Sequence, residues 1–109
     1  MTRLTATTAL AASLTLAGAA QAQDVSFEGE TIEVIVPFGQ GGATFVSAKF
    51  LEPYFEKHLP GNPEIDVIDR PGGGSILGAN WFEQNAESDG TTILFTTSST
   101  ANPFVLGQE

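Results

Sequence analysis

Two glycine-rich turns, each set between an apolar run and a segment of helical pattern, constrain this chain more than any other feature. The first is GQGGAT, residues 39–44, directly after the apolar residues 32–38. The second is PGGGS, residues 71–75, directly after residues 65–69. Glycine lets a backbone approach a ligand closely, and a helix start behind such a turn aims unpaired N–H groups at the same place. The positive end of the helix dipole lies behind them. A carboxylate or a phosphate suits that chemistry.

The elements around the turns follow from side-chain periodicity. Residues 31–38 (TIEVIVPF) are rich in β-branched side chains and predict a buried parallel strand with Pro37 near its exit. Val46, Phe50, Leu51, Tyr54, Phe55 and Leu59 recur at helical spacing and predict a helix over about residues 44–59. Lys57 and His58 fall in its last turn, where cations favour the dipole, and Pro60-Gly61 stops it. Pro53 predicts a kink or break near Glu52. Residues 64–69 (EIDVID) form the second predicted strand, and residues 75–86 the second helix, with Ser75 as its N-cap. Asp89-Gly90 makes a turn into a third strand, residues 91–97 (TTILFTT). The expected fold class is α/β, a β-α-β-α-β parallel sheet with right-handed crossovers. Ligands on such sheets bind outside the carboxyl ends of the strands. Residues 39–44, 71–75 and the hydroxyl-rich 96–100 all belong to that edge.

Composition narrows the function. Arg3 precedes an uncharged, small and apolar stretch over residues 4–20, and Ala20-Gln21-Ala22 has the small-x-small form cut by signal peptidase. Residues 1–22 are therefore expected to be a cleaved signal peptide, and residues 23–109 a mature, periplasmic domain. The chain has no cysteine, which excludes a disulfide framework, a thiolate metal site and a cysteine nucleophile. Its formal charge is −9. Removing Arg3 leaves 13 acids against Lys49, Lys57 and Arg70, a net −10. That balance lacks the basic footprint of nucleic-acid binding. It also leaves an anion to be held by backbone dipoles and hydroxyls. Three strands with open edges form a small core, so the sequence is expected to be cut off rather than complete.

Other readings of the motifs are weaker. Gly39-x-Gly41 after a strand, with Asp69 ending the next, partly matches a dinucleotide fingerprint, but Thr44 stands where a third glycine belongs. No Gly-Lys-Ser/Thr follows to make a phosphate loop. The glycines could also serve only to permit tight turns. His58 has no partner suited to a triad or metal site, and Ser98, Ser99 and Thr100 have no other base available. Asp66 and Asp69 are expected to face solvent or form turns, and Trp81 to pack.

The runs IEVIVPFGQGGAT (residues 32–44), DRPGGGSILGAN (69–80) and SDGTTILFTTSSTANPFVLG (88–107) resemble the start of the substrate-binding receptors of tripartite tricarboxylate transporters, the Bug family. The resemblance covers nearly the whole mature chain. It implies the first part of lobe 1 of a two-lobed, type II periplasmic-binding-protein fold. It further implies a non-enzymatic receptor that captures small organic carboxylates and delivers them to a membrane permease. No cofactor, metal or catalytic residue is implied. The ligand-binding positions it implies are Phe38, Gly41, Gly42, Ala43 and Thr44 in the first loop, and Thr97 and Ser98 after the third strand. Family members commonly carry an Asp directly after the Gly-Gly-x-Thr run, where this chain has Phe45, and they are much longer. The competing class is an exported α/β enzyme or dinucleotide-binding domain using residues 39–44.

Overall fold

The computed structural model describes residues 24–107. The expected signal peptide, residues 1–22, lies outside the described residues. Strand β1, Thr31–Val36, buries Ile32, Val34, Ile35 and Val36 almost completely. A strand buried on both faces reads as a continuous aliphatic run. Each such side chain contributes about 1.5–3 kcal/mol of transfer free energy. Strand β2, Glu64–Asp69, and strand β3, Thr92–Leu94, pair with β1 on either side, both parallel to it. The order β2-β1-β3 makes the α/β parallel architecture expected from the sequence the observed one.

The two crossovers leave in opposite directions, from β1 to β2 and then back across β1 to β3. Right-handed connections in opposite directions place their helices on opposite faces of the sheet. Helix α1, Ala43–His58, lies over β1 and β2, whereas α2, Ile76–Asn85, lies against β1 and β3. The alternation of β1 matches. Ile32, Val34 and Val36 form the core with Ala48 of α1 and Ile65 of β2, and Ile35 is buried outside that cluster, on the opposite face.

Helix α1 runs continuously through Pro53, so of the kink or break expected near Glu52 the break does not occur. Proline orphans the carbonyl four residues back, which is that of Lys49. Both Lys49 and Pro53 are exposed, so water can satisfy that carbonyl. At the far end, the Asn62 amide donates to the carbonyls of Glu56 and Lys57, 3.0 Å each, and closes the helix. Before β3, the Asp89 carboxylate accepts from the Thr91 hydroxyl at 2.7 Å and the Thr91 N–H at 2.9 Å. Those bonds, the hydroxyl's first, hold the Asp89 carboxyl below its ordinary pKa.

Strand β3 is shorter than the predicted seven residues. Phe95 N–H still reaches the Ile35 carbonyl at 2.9 Å, and the chain then turns into a third helix, α3, Ser98–Val105. This helix replaces the hydroxyl-rich loop expected there. Its signal in the sequence is Thr97, a residue type that favours helix entry, immediately before Ser98.

Candidate functional site

The three strand-to-helix connections lie together at the carboxyl edge of the sheet. β1 is central, and the chain reverses its winding direction between β1 and β3. In open α/β sheets, a reversal of this kind is where connections diverge and ligand crevices form. The loop after β1 and the loop after β3 are thus neighbours across the position where a ligand fits an open α/β sheet.

The two glycine turns, alike in sequence, are built for different reasons. In the second, Gly72, Gly73 and Gly74 have φ of 132°, 57° and 63°. L-residues avoid that region, so these glycines are needed by the backbone itself. In the first, the Gly42 N–H donates to the Gly39 carbonyl at 2.9 Å and closes a turn over Gln40 and Gly41. None of Gly39, Gly41 and Gly42 is left-handed. A Cβ added at Gly39 or Gly41 would meet no atom within 4 Å, and one at Gly42 would sit 3.1 Å from the Gly39 oxygen. The fold therefore does not demand glycine at 39 or 41. Bare backbone there faces open space.

Helix α1 starts immediately behind. Its N-cap is Gly42, which has no side chain to cap with, and its first turn carries no acid. The first helical bond runs from Val46 N–H to the Gly42 carbonyl, 3.1 Å. The N–H groups of Ala43, Thr44 and Phe45 have no partner among the described residues. Three adjacent open donors at a helix N-terminus attract an anion. Of the expected first-loop residues, Ala43 and Thr44 bring donors to this point, and Thr44 adds a half-buried hydroxyl. Gly42 spends its N–H inside the turn. Phe38 is half-buried and packs against the core.

Across the edge, Ser98 opens α3 and is exposed. The Thr97 hydroxyl shares a 2.6 Å hydrogen bond with that of Ser99, and the Thr97 carbonyl accepts from Thr100 N–H. Sequence did not reveal the buried group beneath them. Ser75, expected to cap α2, is instead left-handed at φ 86° and makes no capping bond. Its side chain is 1% exposed and hydrogen-bonds Thr100 at 2.8 Å, and Thr100 in turn meets Thr96 at 2.5 Å. The three preceding glycines swing Ser75 inward, and the hydroxyl then takes an interior partner.

A second tie joins the first loop to β2. Gln40 Nε2 donates to Asp69 Oδ1 at 3.0 Å, so Asp69 is not free for a ribose hydroxyl. Arg70 stacks its guanidinium over the Trp81 ring at 3.6 Å, which accounts for Trp81 as packing. Among the described residues, no group of three His, Asp or Glu side chains is placed to hold a metal. No helix among them is long and apolar enough to cross a membrane.

Comparison with known proteins agrees with the motif resemblance. The chain is similar to Protein BugT of Bordetella pertussis (strain Tohama I), with 35% identity over 74 residues. The Bug-family resemblance holds. The match covers 68% of this chain and 22% of BugT, so the chain spans well under two thirds of that relative. No family model matches the chain, and no solved structure does. Set against the Bug pattern, the departure at Phe45 has a structural reason. The side chain at 45 is partly buried and packs on the core, where an aromatic ring covers apolar surface.

Proposed function

We propose that this chain is the N-terminal part of the first lobe of a periplasmic solute receptor that takes small organic carboxylates and works with a membrane permease. Residues 1–22 would direct export and be removed, leaving residues 23–109 as the start of the mature protein. The similarity to BugT supports a solute-binding role rather than an enzymatic one. The observation that carries the ligand assignment is the first glycine turn. Its bare backbone meets open space, and the Ala43, Thr44 and Phe45 N–H groups behind it have no partner among the described residues. A carboxylate seated there receives backbone N–H bonds and the Thr44 hydroxyl, with Phe38 beside it. Thr97 and Ser98 approach from the loop after β3. The scarcity of cations, only Lys49, Lys57 and Arg70 after Arg3, argues for dipoles over cations, and Arg70 is held against Trp81.

Calorimetric titration of the full-length protein with mono- and dicarboxylates, matched phosphates and nicotinamide dinucleotides tests the assignment. Carboxylates bind, and Thr44→Val costs about 1–3 kcal/mol of affinity, the worth of a buried donor lost without replacement. Tight dinucleotide binding with no carboxylate response would overturn the proposal.

A further inference from the structure

The Ser75–Thr100–Thr96 group carries one inference beyond that reading, and it rests on it. Three hydroxyls share two hydrogen bonds, with Thr100 in the middle. Each hydroxyl owns one proton, so three protons serve two bonds and one is left over. There are three ways to arrange them. If Thr96 donates to Thr100 and Thr100 to Ser75, the spare proton belongs to Ser75, which is 1% exposed. If both neighbours donate to Thr100, the spare proton belongs to Thr100, which is 4% exposed. Neither side chain has a further acceptor among the described residues. A buried O–H without an acceptor costs the full desolvation penalty of the group. In the third arrangement Ser75 donates to Thr100 and Thr100 donates to Thr96. The spare proton then sits on Thr96, which is exposed at the carboxyl edge of the sheet.

We propose that burial polarises this chain of hydroxyls in the third direction, and that Thr96 presents a fixed proton donor to the bound carboxylate. Ser75 and Thr100 are positioning residues acting through Thr96. The left-handed conformation of Ser75 belongs to the same device. It is an uncommon state for a non-glycine residue, and it is the state that turns the hydroxyl inward to Thr100. A hydroxyl on a free surface can donate or accept. Thr96 has one of its two lone pairs taken by Thr100 and its proton left over, so it has that proton to offer a ligand atom that accepts. That distinguishes it from Thr97, whose hydroxyl pairs with the exposed Ser99 and is free to reorient.

The test uses the full-length protein, titrated with a carboxylate that binds the wild type and with its methyl ester. A bond from a donor is worth more to an ionised acceptor than to a neutral one, so Thr96 raises the preference for carboxylate over ester. Thr96→Val lowers carboxylate affinity about 10-fold or more, in line with loss of a hydrogen bond to a charged group, and lowers the carboxylate-to-ester ratio. Thr96→Ser keeps the proton and retains the wild-type ratio. A variant that merely misfolds in part loses both ligands equally and leaves the ratio unchanged. Thr100→Val lowers the ratio in the wild type, and it has no further effect on the ratio in the Thr96→Val background. An unchanged ratio in Thr96→Val, with carboxylate still bound by the wild type, overturns the inference alone. A wild-type protein that binds no carboxylate overturns the receptor reading and this inference with it.

Discussion

Two glycines replaced by alanine separate what the fold needs from what the site needs. At Gly78, inside α2, an added Cβ would lie 2.6 Å from the Arg70 carbonyl oxygen, 2.6 Å from Pro37 Cβ and 2.8 Å from Pro37 Cα. Favourable carbon contacts lie near 3.5–4.0 Å, so α2 must move off the ends of β1 and β2 by roughly 1 Å. Overpacking of that kind costs about 1–3 kcal/mol. Alanine returns up to about 1 kcal/mol of helix propensity. The crowding atoms include backbone that cannot rotate away, so the upper end applies and the net loss is about 2 kcal/mol. At Gly41 the accounting reverses. The backbone is not left-handed and the Cβ meets nothing, so Gly41→Ala leaves stability unchanged or raises it by about 0.4–1 kcal/mol through the unfolded chain. Yet in the proposed site the methyl stands where bare backbone would meet the carboxylate, and affinity is expected to fall about 10-fold or more as donor distances lengthen. Urea unfolding of the full-length variants, read as midpoint shifts at constant slope, gives the stability arm. Calorimetric titration gives the binding arm. If Gly41→Ala unfolds as readily as Gly78→Ala, glycine at 41 is a fold requirement and the reasoning fails. It fails equally if Gly41→Ala binds like the wild type.

Further outcomes follow from particular residues. The Asp89 carboxyl is held below its ordinary pKa by Thr91, so its contribution to stability is complete above the ordinary value and is lost as pH falls through the lowered one. Asp89→Ala removes that part of the acid limb, and identical pH–stability curves for the two proteins would contradict it. Val46, Phe50 and Tyr54 form an exposed apolar stripe on the outer face of α1, and β2 and β3 are outer strands of the described sheet. Residues 23–109 expressed alone therefore self-associate or unfold without cooperativity. A sharp monomeric transition would count against this. Mass spectrometry of the exported protein finds Gln23 as the first residue, and a product retaining residues 10–16 would refute cleavage at Ala22.

Much of the fold was legible because periodicity and turn residues are local properties. The parallel pairing of 31–36 with 64–69 followed from two aliphatic runs separated by a helical pattern. The end of α1 followed from Lys57, His58 and Pro60-Gly61. Pro53 does not break α1, since whether an orphaned carbonyl matters depends on which side of the helix meets water. Helix α3 was missed because its entry residues, 96–100, read equally as a polar loop.

The sequence by itself determined the class of sheet, the edge at which the loops gather and the lack of cations to clamp an anion. It could not tell one glycine turn from the other. GQGG and GGG carry the same local permissiveness, and only the tertiary fold decides whether that freedom is used. Gly72 to Gly74 use it to turn left-handed, while Gly39 and Gly41 keep ordinary backbone angles and leave space. Ser75 shows the same division. Its position before a helix predicts a cap, but its hydroxyl is settled by a partner 25 residues away, Thr100, which no local pattern contains. Burial is a property of the assembled sheet and helices, and burial is what makes the direction of a shared proton matter.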